Sequence, residues 1–144
     1  MKKGFTLIEL LIVIAVIAIL IGIALPRFKG MKDEGNIAKT KGELRTLQTA
    51  VESYYIHNDA YPTTFPDDLE GATPQIIDDT APTDPFTASS DYNYAQSPDK
   101  NYYIIWSTGP GATSTVTGID NNGDLTGSAG DDIYISNGSS RIGG

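Results

Sequence analysis

The chain has no cysteine among its 144 residues, so no disulfide can staple it and no thiolate can bind a metal or attack a substrate. A domain this small buries a modest core, so extra stability must come from close packing or a bound ion. There is one histidine, His57, beside Asn58-Asp59 where a helix is expected to end, and a capping or surface role suits it better than catalysis. Nucleophile-elbow, P-loop, HExxH, dinucleotide-binding and CxxC patterns are missing. The carboxylate pairs Asp67-Asp68 and Asp78-Asp79 lie in polar stretches and are expected to face solvent. Nothing here argues for an enzyme. Cations are also scarce: ten Lys and Arg against eighteen Asp and Glu leave a net charge of −8. Residues 1–29 carry Lys2, Lys3, Arg27 and Lys29 against Glu9, a balance of +3, whereas residues 30–144 hold six cations against seventeen anions, a balance of −11. Phosphate binding needs a cationic surface, so no nucleic-acid partner is expected.

What the chain has in abundance is one apolar run. Leu10 to Leu25 is sixteen residues without a charge, almost all Leu, Ile, Val and Ala. From Phe5 to Phe28, twenty-four residues, only Glu9 and Arg27 are charged. A helix rises about 1.5 Å per residue and needs roughly 20 residues to cross a hydrocarbon core, so this run can span a bilayer. By the positive-inside tendency the basic leader stays cytoplasmic, which places the acidic remainder on the other side. Glu9 is the anomaly. A carboxylate at mid-depth costs roughly 2.5 kcal/mol or more, so it is a candidate for a specific partner.

Three kinds of N-terminal segment compete. A cleaved secretory signal needs an uninterrupted apolar stretch and a small-x-small cleavage site. Glu9 interrupts the stretch, and Ile21-Gly22-Ile23-Ala24-Leu25-Pro26-Arg27 is a poor site of that kind. A plain signal anchor would tether a monomeric binding module, which would tolerate loss of Glu9. The third reading rests on Lys2-Lys3-Gly4 followed by Phe5-Thr6-Leu7-Ile8-Glu9-Leu10-Leu11-Ile12-Val13, which resembles the start of type IV pilins and type II secretion pseudopilins. That resemblance implies a membrane prepilin peptidase that cuts after Gly4 and methylates the new N-terminus on Phe5. It also matches the family's early glutamate to Glu9 and its helix proline to Pro26, both tied to filament assembly. Cleavage would leave a cationic amine on Phe5 among packed apolar helices, where an unpaired charge is unstable. Glu9 of a neighbouring copy would compensate it and fix the register.

Beyond Pro26, which is expected to bend or loosen the helix, Ile37, Leu44, Leu47, Val51 and Tyr54 form an amphipathic stripe of helical period. This stripe is expected to seat a sheet, and Asn58-Asp59 with Pro62 supplies the stop. Residues 61–90, rich in Pro, Thr and Asp, read as a structured loop with a short helix around Pro66–Glu70. Strands are expected at Asp91–Ala95, Tyr102–Ser107, Thr115–Ile119 and Ile133–Ser136, and Gly138–Gly144 reads as a mobile tail. Aromatic residues concentrate here, and strand alternation suggests that some pack on the helix while others face outward.

Tyr61-Pro62-Thr63-Thr64, Thr83-Asp84-Pro85-Phe86, Tyr92-Asn93-Tyr94 and the late Asp131-Asp132-Ile133 narrow the resemblance to the major pseudopilin of type II secretion. Two departures stand out. The Ser-x-Gly-x-Asp-Gly turn common in that family is replaced by Ser107-Thr108-Gly109-Pro110-Gly111, and a longer Thr/Gly/Asn-rich stretch precedes the final acids. The resembling pseudopilins bind calcium near the C-terminal loop. The residues from Asp120 to Asp131 place oxygen side chains with the spacing of a twelve-residue calcium loop, although Leu125 stands where the turn glycine belongs. Asp120, Asn122, Asp124, Asp131 and Asp132 are the candidate ligands of a structural calcium, against a plain hairpin turn.

The sequence therefore predicts an α+β pilin fold: a long N-terminal helix, transmembrane in its first half and amphipathic in its second, on a small antiparallel sheet with a loop-rich head. Residues 1–4 form the leader, 5–29 the membrane and filament-core helix, and 30–144 the head. The resemblance implies a homo-oligomeric helical filament in a type II secretion pseudopilus, anchored in the inner membrane by a single pass with its head in the periplasm. Its implied partners are the prepilin peptidase, an inner-membrane assembly platform and minor pseudopilins. A type IV pilin forming surface fibres is the alternative.

Overall fold

The computed structural model describes residues 4–77, 80–87, 90–139 and 142–143, the last two as backbone. Lys2 and Lys3 of the leader and the Asp78-Asp79 pair lie outside the described residues. The chain divides into two compact units, Met1–Gly35 and Asn36–Gly144. The first unit is helical throughout its described part from Leu7, and the second is an α+β head.

Helix α1 runs Leu7–Asn58 and continues through Pro26 without a break. Within the first unit its large apolar side chains have no cover: Leu7 is 77% exposed and Ile19 64%. β-Branched residues are mediocre helix formers in water, but in lipid only a helix or a closed barrel satisfies every backbone group. In the second unit the expected stripe is buried at Leu44, Leu47 and Val51, with Ile37 and Tyr54 packed beside it. Thr40 and Ala50 join the buried face. The helix ends as expected: Asp59 takes a left-handed φ of 53°, and its amide donates to the Tyr55 carbonyl at 2.8 Å. A short helix, α2, follows at Asp67–Glu70.

The strands are β1 (Asn93–Gln96), β2 (Tyr103–Ser107), β3 (Val116–Ile119), β4 (Leu125–Gly127), β5 (Ile133–Ser136) and β6 (Ile142–Gly143). A four-stranded antiparallel sheet has the order β1-β2-β5-β6, and β3 pairs β4 in a separate hairpin. Alternation along β2 and β5 divides the core in two. Tyr103, Ile105, Ile133 and Ile135 meet the stripe of α1. Ile104, Trp106 and Tyr134 point the other way and meet Val116 and Ile119 of β3.

Two expectations are corrected here. The outward-facing aromatics are not free, because the β3–β4 hairpin folds over that face and leaves Trp106 only 7% exposed. The C-terminal stretch is not wholly loose either. The Ser139 amide donates to the Gly123 carbonyl at 3.0 Å, and Ile142–Gly143 extends the sheet by pairing with β5. β4 and β6 have no strand signal of their own: Leu-Thr-Gly and Ile-Gly are too short to show alternation.

Candidate functional site

Two regions carry the predicted site residues, one in each unit. At the start of α1, Gly4 and Phe5 are exposed just ahead of the first helical turn. Thr6 and Glu9 form a reciprocal cap. The Glu9 carboxylate accepts from the Thr6 amide at 2.9 Å and its hydroxyl at 2.7 Å, while the Glu9 amide donates to the Thr6 hydroxyl at 3.3 Å. This is the capping-box arrangement, in which Ser or Thr and a glutamate three residues on satisfy each other's backbone amides. Glu9 is therefore satisfied within its own chain. The sequence signal for Thr6 is the capping-box pattern Thr6-Leu7-Ile8-Glu9 ahead of an apolar run. Along this segment the large apolar side chains from Phe5 to Met31 are exposed, and an apolar surface of this extent needs lipid or another chain to cover it.

The acidic candidates of the head fall into two places. Asp120 caps the turn between β3 and β4, its Oδ1 accepting from the amides of Asn122 at 2.8 Å and Asp124 at 2.9 Å. Those amides hold its carboxyl below the usual range. Asp124 accepts from the Ser139 hydroxyl, and the Asn122 side chain lies near Asp120 Oδ2 at 3.4 Å. Asp131 and Asp132 follow β4. Asp131 accepts from the Gly111 amide. Asp132 Oδ2 accepts from the amides of Thr115 and Val116, both at 2.7 Å.

The twelve-residue loop expected from Asp120 to Asp131 does not form. β4 occupies its middle, and the register Ile119↔Leu125 and Val116↔Gly127 puts Asp120 at one end of the hairpin and Asp132 beside the other. Val116 and Asp120 are four residues apart along an extended strand, a separation of about 13 Å. Among the described residues, no group of three or more His, Asp or Glu converges as a metal site. Leu125 at the position of the turn glycine was the visible warning.

The Asp131–Asp132 end has a different character. Asp132 is fully buried, and its Oδ1 has no partner. Gly109, with φ 63°, and Gly111 both stand so close to Asp131 that a Cβ on either would collide with it. Asp84 supports the same loop from below. It is 1% exposed, and it accepts from the Phe86 amide at 2.9 Å, the Ser107 hydroxyl at 2.8 Å and the Thr108 amide at 3.3 Å. Its signal was Asp-Pro, a turn-forming pair that can anchor a loop through its side chain. The orphaned, buried Oδ1 of Asp132 is the feature that fits a hard cation, whereas the Asp120 turn is satisfied by its own amides.

The N-terminal 1–25 match the prokaryotic N-terminal methylation motif, and residues 27–127 match the family of type II secretion system (T2SS) protein G. Type II secretion system core protein G of Klebsiella michiganensis is 35% identical over 63 residues, 44% of this chain and 44% of its own length. The same-named protein of Pseudomonas aeruginosa is 32% identical over 63 residues, again 44% of each chain. Type IV major pilin protein PilA of Myxococcus xanthus is 42% identical over 60 residues, which are 42% of this chain and 27% of the pilin. The chain thus spans less than half the length of the curated relatives it matches. No solved structure matches it.

Proposed function

Because the chain belongs to the type II secretion system protein G family, we propose that it is a structural subunit of a type II secretion pseudopilus, a helical filament that drives protein export across the outer membrane. The observation that carries this reading is the match over residues 27–127, which lies beyond the N-terminal segment common to pilins and pseudopilins. The methylation motif over residues 1–25 supports processing at Gly4–Phe5 by a prepilin peptidase, with methylation of Phe5. Among the described residues one helix is long and apolar enough to cross a membrane. It would anchor the precursor in the inner membrane with the head in the periplasm. On extraction, the same surface would pack copies together, and Glu9 would exchange its Thr6 donors for the Phe5 amine of a neighbour. Platform proteins and minor pseudopilins would be the remaining partners.

Calcium enters this proposal at Asp131 and Asp132. A bound Ca²⁺ would take up the spare Asp132 oxygen and relieve the repulsion between adjacent carboxylates, stabilising the loop that Gly109 and Gly111 thread past Asp131. If so, EDTA lowers the melting temperature of the full-length protein in detergent, and Asp132→Asn abolishes the difference. An equal melting temperature with and without EDTA removes calcium from the reading.

The deciding experiment shears intact cells and follows the protein by mass spectrometry. Processed protein beginning at Phe5 and retained in the envelope is the expected result. Abundant processed protein in sheared fibres would favour a surface type IV pilin, and an uncut N-terminus would defeat both filament readings.

A further inference from the structure

We infer that the stretch Arg27–Lys32 is a docking site for an anionic phospholipid, its phosphate taken by Arg27, Lys29 and Lys32 and an acyl chain laid in a hollow beside Ala24. The inference rests on the membrane-anchored reading only in taking the apolar run to lie in a bilayer. Phe5 to Leu25 is twenty-one residues. As a helix this measures about 31 Å, the thickness of a hydrocarbon core, so the residues just past it stand at headgroup depth. Three cations fall there within six residues, although Lys2 and Lys3 already supply the basic flank at the other end. Cations on both flanks run against the positive-inside tendency and call for a local reason.

The hollow supplies one. Leu20, Ile23, Ala24, Arg27, Phe28 and Met31 line it, and spacings of three and four place them on one helix face. Ala24 is the one residue from 4 to 32 that is partly buried rather than exposed, so its small side chain forms the floor. Arg27 stands within the apolar wall. Its stem can lie along Ile23 and Met31 while the guanidinium reaches the phosphate plane, where its planar donors suit phosphate oxygens. Among the described residues the ion pair found is Lys39–Glu43, and Arg27, Lys29 and Lys32 take no part in it. Phe28 and Met31, 66% and 68% exposed, give apolar anchors interleaved with the cations. Asp33 and Glu34 then end the cationic stretch. Apolar hollow, cationic mouth and matching depth together describe a phospholipid. A second copy of the chain would supply carboxylates but has no need to lie at headgroup depth.

The test is native mass spectrometry of the processed full-length protein in mild detergent, titrated separately with phosphatidylglycerol and phosphatidylcholine of the same acyl chains. Phosphatidylglycerol should be retained in preference by at least about five-fold, the effect of a single surface cation on an anionic lipid, with three cations raising it further. The combined variant Arg27→Gln, Lys29→Gln, Lys32→Gln should bring the two lipids to parity, while Arg45→Gln should keep the preference. Equal retention by the native protein, or a preference surviving in the triple variant, overturns the site. So does equal lipid retention joined to a loss of cross-linked dimers in the triple variant, which would assign the cations to a second copy. Carbonate extraction of membranes from the cells that make the protein separates the two readings. Protein that stays in the membrane but shows no lipid preference defeats the lipid site alone, whereas protein released by carbonate defeats membrane anchoring and the lipid site with it.

Discussion

Tyr92, just ahead of β1, and Tyr103 of β2 each reach a carboxylate of α1, Glu43 at 2.7 Å and Glu52 at 2.8 Å. Burial first, and then donation to the glutamate, pushes both phenols above their ordinary value. A group whose pKa is raised by folding stabilises fully below its unfolded value and loses that contribution as pH climbs through the folded one. The melting temperature in detergent should therefore hold up to about pH 10 and fall beyond it. A double variant, Tyr92→Phe with Tyr103→Phe, should flatten the alkaline fall; an unchanged slope would absolve the two phenols. Asp99 and Asp120 act with the opposite sign. Hydrogen bonds from Ser97 and Asn101 depress the first, and backbone amides of the turn depress the second. Their contribution is present above about pH 4 and lost as pH falls below it. Gly109 makes the third residue-scale prediction. Its φ of 63° and the Asp131 backbone against it leave no room for a methyl group. Gly109→Ala should cost about 1–3 kcal/mol in denaturant unfolding, the usual range for overpacking.

α1 and the β3–β4 hairpin cover opposite faces of one sheet, so each can be tested by one truncation. Leu47 is fully buried under the sheet, and Leu47→Ala should cost about 2–5 kcal/mol. Trp106 belongs to the second cluster, and its indole N–H donates to the Ser114 hydroxyl at 2.7 Å. Trp106→Ala should cost about 3–5 kcal/mol. A change below about 1 kcal/mol at Trp106 would mean that the hairpin covers the sheet only loosely. At the helix start, Thr6→Ala removes the N-cap at a cost of about 1 kcal/mol to the helix. Glu9→Leu should leave membrane insertion intact and abolish filament yield. Normal filaments from Glu9→Leu would sink the pairing of Glu9 with a neighbour's amine.

The whole chain combines a first unit that exposes nearly all its apolar surface with a second that holds both hydrophobic clusters. A fragment beginning at Asn36 should therefore be soluble without detergent and melt cooperatively by circular dichroism. A featureless melt would show that the head needs the first unit in order to fold. The full chain, by contrast, should require detergent or a filament partner. Charge follows the same division: apart from Lys100 and Arg141, every cation lies in residues 1–45. The rest of the chain is left acidic, with seventeen Asp and Glu against six cations in residues 30–144.

The membrane-length run, the amphipathic stripe, the helix stop and four of the six strands were legible in the residues, because each is a local pattern of hydrophobic period or turn chemistry. The family resemblance was legible too, since Lys2-Lys3-Gly4-Phe5 through Val13 is long and ordered. What was not legible depended on partners distant in sequence. Leu125–Gly127 is too short to declare itself, and only pairing with β3 makes it a strand, which in turn splits the acidic candidates between two ends of a hairpin. Ile104, Trp106 and Tyr134 alternate in a way that permits either solvent or a second layer, and it is the folded-over hairpin that buries them. Asp132 looks like any loop acid until its surroundings remove water from one oxygen and leave it without a donor. Period and turn chemistry act between near neighbours, whereas burial and hydrogen-bond satisfaction depend on segments that only the fold brings together.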